Sequence, residues 1–148
     1  MPRKLRCQNF DHIRQELARL EKGSVTTSGN WSYYQIITHL TKGIENSMKG
    51  ARHEIPFVRK HIVGRIAYGA FKLCGRIPRG LPGPAKDRIE GNEAEAVAKY
   101  SNALDTFQEF EGPVSDHPVL GPFTKKKWLN FHAWHFANHV SNAEFKDK

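Results

Sequence analysis

Sulfur is scarce in this chain. Two cysteines, Cys7 and Cys74, show neither metal nor redox spacing, which excludes a disulfide framework and a cysteine-built zinc module. Long apolar runs are missing as well. None approaches the roughly 20 residues of a membrane span, and no membrane partner is expected. The basic start, Arg3-Lys4-Leu5-Arg6, has no apolar stretch behind it. A signal peptide is therefore not expected, and a cytoplasmic protein with free thiols is. No segment alternates with period two, so no sheet is expected. Helix-turn-helix, zinc-finger and aromatic-basic RNA motifs are absent, which makes nucleic acid a poor partner.

What is present fits one soluble domain over residues 1–148, with 39% hydrophobic and 26% charged residues. The net charge of +8 is uneven. Residues 1–80 hold 15 Lys/Arg against 5 Asp/Glu, a balance of +10; residues 81–148 hold 8 against 10, a balance of −2. Such a basic half attracts anions, whether an acidic small molecule, nucleic acid or lipid. It also serves simply as a solvated surface.

Helical periodicity runs through every apolar segment. Ile13, Leu17 and Leu20 predict a helix over 11–22 that stops at Gly23, followed by a polar loop over 24–30. Ser32 and Gln35 form a capping box, which starts a second helix over 32–49 with Ile36, Ile37, Leu40 and Ile44 inward. A third stretch, 57–74, has Val58, Ile62, Ile66, Ala70 and Leu73 on an apolar stripe expected to face the core, with Arg65 and Lys72 elsewhere. The Pro/Gly-rich segment 75–91 breaks regular structure. Helices over 93–110 and from the Thr124 cap to about residue 142 complete the chain. The expected fold is all-α: a four-helix bundle whose long crossover between helices 2 and 3 holds an extra helix.

The chemistry lies in the histidines. His135 and His139 are four apart, so one helix face carries both rings. Two imidazoles alone bind metal weakly. His39, on another apolar helix, is the natural third ligand. With each nitrogen about 2.1 Å from a shared ion, the three nitrogens should lie within about 4 Å of one another. His132 continues the same stripe and is a candidate to replace His135 as a ligand, to hydrogen-bond to a ligand, or to act as a base beside the site; its i+7 spacing from His139 makes His135 and His139 the better pair. The competing reading is that these rings bond to backbone or to each other. His12, His53, His61 and His117 sit at element ends or in loops and suggest no chemistry.

Asn30-Trp31-Ser32, then Gln35, Ile36, Ile37 and His39-Leu40, resemble the start of the second helix in the DinB-like superfamily of damage-inducible four-helix-bundle metalloproteins. His117-Pro118-Val119-Leu120-Gly121, then Thr124, Trp128, His132, His135 and His139, resemble the ending of one uncharacterised branch; Pro78-Arg79-Gly80-Leu81-Pro82 also matches that branch. The resemblance implies a divalent metal, such as zinc, nickel or iron, on His39, His135 and His139, and a homodimer. Characterised relatives include thiol S-transferases and isomerases that use low-molecular-weight thiols. The branch itself has no activity to carry over. One departure is Lys125-Lys126-Lys127, where relatives often have acidic residues. Positive charge there opposes the helix dipole and suggests either an anion-attracting rim or a frayed first turn.

A metal-dependent transferase or hydrolase acting on a small-molecule thiol or acidic substrate is the leading functional reading. Arg65, Arg76 or Arg79 would bind the substrate's carboxylates. The alternative is a non-catalytic metal- or partner-binding bundle.

Overall fold

A computed structural model describes residues 3–52, 54, 56–77 and 87–147. The chain is mostly helical. Helices α1 (Phe10–Leu20), α2 (Tyr33–Ser47), α3 (Gly64–Cys74), α4 (Glu93–Glu109) and α5 (Lys125–Val140) are accompanied by two short strands, β1 (Gly23–Thr27) and β2 (Ala143–Asp147). A π-helical turn, Arg59–Val63, leads directly into α3. No helix among the described residues is long and apolar enough to cross a membrane. Both cysteines are free, Cys7 buried and Cys74 exposed. Burial pushes the Cys7 thiol up to about 12, so it stays protonated.

One continuous core is built from α1, α2, α4 and α5. Its fully buried side chains include Ile13, Leu20, Ile37, Ile44, Tyr100, Leu104, Phe107, Trp134 and Phe136. Local chemistry sets the helix ends. Asn9, Ser32, Asn92 and Thr124 each accept a backbone N–H of the first turn, contacts worth about 1 kcal/mol apiece. Ser32 and Gln35 form the expected capping box, with bonds of 3.0 and 3.1 Å. The Ser32 hydroxyl also donates to the Ile89 carbonyl, and Gln35 binds Asp87 O and Ile89 N. The end of the crossover is thereby tied over the start of α2.

Three expectations need correction. The first concerns the sheet. β1 and β2 pair antiparallel, with Val25 opposite Phe145, inside what read as a polar loop and a tail. Each strand has only five residues and its partner lies at the other end of the chain, so no local pattern announces the pair. The second concerns residues 57–74. They are helical, but the stripe of Val58, Ile62, Ile66, Ala70 and Leu73 faces solvent. Gly64 and Tyr68 turn inward instead. Tyr68 packs against Phe123 and Trp134, and its hydroxyl accepts from Asn130 at 3.1 Å. The segment is apolar on two sides, and the side whose aromatic ring finds a socket is the one buried. The third concerns the lysines of α5. Lys125 Nζ donates to the carbonyls of Gln108 and Phe110 at the end of α4, at 2.8 and 2.6 Å, and Lys127 lies 5.0 Å over the Tyr68 ring. Their charge opposes the dipole of α5 but serves the carbonyl end of α4, so the turn is pinned. Arg79, with the Pro78–Pro82 stretch, lies outside the described residues.

The inward approach of α3 makes a prediction about glycine. A Cβ on Gly64 would stand 2.2 Å from Leu120 O and 2.9 Å from Arg59 O, whereas one on Gly69 would meet nothing within 4 Å. Gly64→Ala is expected to destabilise by about 1–3 kcal/mol through overpacking. Gly69→Ala should stabilise by up to about 1 kcal/mol through helix propensity. Urea unfolding of the two variants checks this; equal effects would refute the docking of α3.

Candidate metal centre

Helix α2 brings His39 and helix α5 brings His135 and His139 to one point. The His39 and His135 Nε2 atoms are 3.2 Å apart, and the His139 and His135 Nε2 atoms 3.0 Å. All three ligand-capable nitrogens lie within 4.8 Å of one another, and all three residues are half-buried. The two measured edges match the separation of about 3.0–3.4 Å between neighbouring ligands of one ion at about 2.1 Å. Among the described residues no other His, Cys, Asp or Glu joins this cluster.

Gly43 of α2 faces the His135 ring: a Cβ there would lie 3.9 Å from it, an ordinary contact, so alanine would fit. Aromatic rings hold the imidazoles in place. Trp31 stacks on His139, nearly parallel at 5.7 Å between centroids, and meets His39 edge-on at 5.1 Å. Phe131 lies 5.4 Å from His135. The sheet lies beside the end of α5: the Asn142 carbonyl accepts from Ser28 N just beyond β1, and β2 begins at the next residue.

The electrostatics favour neutral rings. Burial, then His139 and His39, hold His135 well below its ordinary value. Burial and His39 lower His139 to about 4. The Nε2 of His135 stands within hydrogen-bond distance of the Nε2 of both His39 and His139. A neutral imidazole nitrogen without a hydrogen offers a lone pair that binds a cation. The donor set therefore fits a nitrogen-preferring divalent metal.

His132 does not join the cluster. Its ring is buried between Trp128, stacked at 5.0 Å, and Phe107, edge-on at 5.2 Å. The Ser47 hydroxyl, 3.0 Å from Nε2, already donates to Ile44 O, so it accepts from His132 Nε2–H. His117, a loop residue, has a structural role. Its Nδ1 accepts from Val119 N and Leu120 N at 3.1 and 2.9 Å, and its ring packs on Phe131. Arg65 is exposed on α3, and Arg76 lines a different cavity from the one beside His39.

That neighbouring cavity, of about 180 Å³, is lined by Trp31, Tyr34, Gln35, Thr38, His39, Lys42 and Ile89. A second cavity of about 280 Å³ shares Tyr34, Thr38 and Lys42 with it. The sequence contained no signal for this mouth, because its walls come from α2 and the far end of the crossover.

Residues 1–146 match the family model described as "Protein of unknown function (DUF1569)". The chain belongs to the DUF1569 family. Comparison with curated proteins and with solved structures finds no match. The match to DUF1569 spans all three clustered histidines and His132.

The burial of His132 sets a pH dependence. Burial, then His117, lowers its pKa from 6.5 to about 3. Between those values the unfolded chain holds a proton that the folded protein does not. This contribution to stability is therefore complete above about pH 6.5 and is lost as pH falls toward 3. In chelator, urea unfolding should weaken with acidification, and His132→Phe should make the slope shallower by about 1.4 kcal/mol per pH unit, one proton. An unchanged slope would mean that His132 does not stay neutral in the folded protein.

Proposed function

We propose that His39, His135 and His139 hold a divalent metal ion, zinc, nickel or iron, and that the protein is a metal-dependent enzyme of the thiol S-transferase or hydrolase type. The observation that carries this reading is the convergence of three imidazole Nε2 atoms from two helices beside an open cavity. A divalent ion with three protein ligands keeps a coordination position for a thiol or water and lowers its pKa.

The chain's own residues supply the rest. Trp31 and Phe131 fix the imidazole orientations and keep bulk water from their faces. Lys42 and Tyr34 line both cavities and offer a cation and a hydroxyl to an acidic substrate. The Gln35 amide is committed to Ser32, Asp87 and Ile89, so it fixes the wall of the cavity rather than binding ligand. The same reading takes the architecture as a DinB-like four-helix bundle with α3 in its crossover. It also takes the protein as a cytoplasmic homodimer. Light scattering should then give a particle near twice the 16.9 kDa chain mass.

The alternative, a non-catalytic metal- or partner-binding bundle, is separated by metal removal. The core of α1, α2, α4 and α5 contains no part of the metal cluster's chemistry. Chelator should therefore lower the melting temperature while helicity persists, unlike a small domain folded by its metal. Elemental analysis of untagged protein should find one ion per chain. His39→Ala and His139→Ala should each weaken metal binding at least about 100-fold, and should abolish thiol transfer to an electrophilic substrate in an activity screen. Wild-type metal binding in both variants would sink the site. Complete unfolding in chelator would instead favour a structural ion.

A further inference from the structure

The outward face of residues 57–74 has no partner among the described residues. Phe57 is 72% exposed, Ile66 68% and Leu73 90%, with Val58, Ile62 and Val63 also exposed. In α3, Ile66, Gly69, Ala70 and Leu73 follow i, i+3, i+4, i+7 spacing, so they form one stripe opposite buried Gly64 and Tyr68. Gly69 leaves that stripe flat, since a Cβ there would face open space. An apolar stripe of this length at a surface marks an interaction site.

Charge identifies what fits it. Residues 57–76 contain Arg59, Lys60, Arg65, Lys72 and Arg76 and no Asp or Glu. Arg65 and Lys72, seven apart, lie along one flank of the stripe. Arg76, just past the left-handed cap Gly75, joins Lys4 and Arg6 around a cavity of about 200 Å³, whose lining among the described residues contains no acidic side chain. A second copy docked symmetrically here would set this cationic segment against itself. An apolar stripe flanked only by cations is instead the pattern of a helix lying in the surface of an anionic bilayer. The apolar side chains enter the acyl boundary and the cations meet the phosphates.

We propose that the Phe57–Leu73 face is a peripheral membrane contact that seats the protein on anionic lipid. The basic cavity at its end receives a headgroup phosphate. The inference does not depend on the metal reading, because the two surfaces share no residue.

Flotation of the full-length protein with phosphatidylcholine vesicles, with and without about 30% phosphatidylglycerol, tests it. Binding is expected only to the anionic vesicles and should weaken as salt rises. Ile66→Ser/Leu73→Ser keeps every charge and alters exposed positions only; it should bind at least about tenfold more weakly. Arg65→Glu/Lys72→Glu should bind more weakly to a similar degree, with circular dichroism unchanged in both variants. No binding to anionic vesicles would overturn the proposal. So would binding that survives Ile66→Ser/Leu73→Ser, which would mark unspecific attraction to the net charge. Loss of a homodimer in that variant, without vesicle binding by the wild type, would assign the face to a second copy.

Discussion

The packing of α5 against α2 is the contact on which the rest of the structure depends. Helix α5 is unusually rich in aromatic and imidazole rings. Trp134 and Phe136 go into the core, and Trp128 with His132 fills the space beside Phe107. His135 and His139 are left facing α2, where His135 comes within 3.2 Å of His39. The same interface thus carries apolar burial and a cluster of polar nitrogens. Apolar burial of Trp134 and Phe136 holds the helices together, and the three half-buried histidines lie at the margin of that contact.

The ends of the chain secure that contact. Beyond α5, β2 pairs with β1, between α1 and α2. Arg3 N donates to Ser141 O and the Arg3 guanidinium to Ala143 O, while the same guanidinium meets Glu16 on α1. Glu16 is buried, which alone would raise its pKa, but hydrogen bonds from Arg19 and Arg3 outweigh burial and hold it below its ordinary value. A polar network satisfied in this way fixes one arrangement among several of similar apolar burial. At the other end of α5, Lys125 binds the last carbonyls of α4.

The basic half of the chain takes on a distinct meaning once folded. Some cations are used internally, as Arg3, Arg14 and Arg19 are in ion pairs. Arg65 and Lys72 border an exposed apolar face. Separating the cavity beside His39 on α2 from an amphipathic surface on α3 lets one small fold offer two independent surfaces.

Much of this was legible in local chemistry. Caps at Ser32 and Thr124, the apolar period of 36, 37, 40 and 44, and the i, i+4 spacing of His135 and His139 depend only on neighbours along the chain. A helix converts spacing directly into direction, which is why His39, His135 and His139 could be named together in advance. The environment of His132 was not legible, because a partner 85 positions away, Ser47, decides whether its ring is ligand or core. The strand pair was hidden for the same reason. Residues 57–74 show the limit most clearly. Periodicity revealed an amphipathic helix, but with apolar groups on two sides it could not say which side turns inward. The sequence by itself determined the helices, their caps and the facing of the two α5 histidines, since these follow from backbone geometry over one or two turns. Only the tertiary structure decided which apolar face was buried and which nitrogens met. Those outcomes depend on which surfaces compete for the same space, and that competition is settled between residues far apart in the chain.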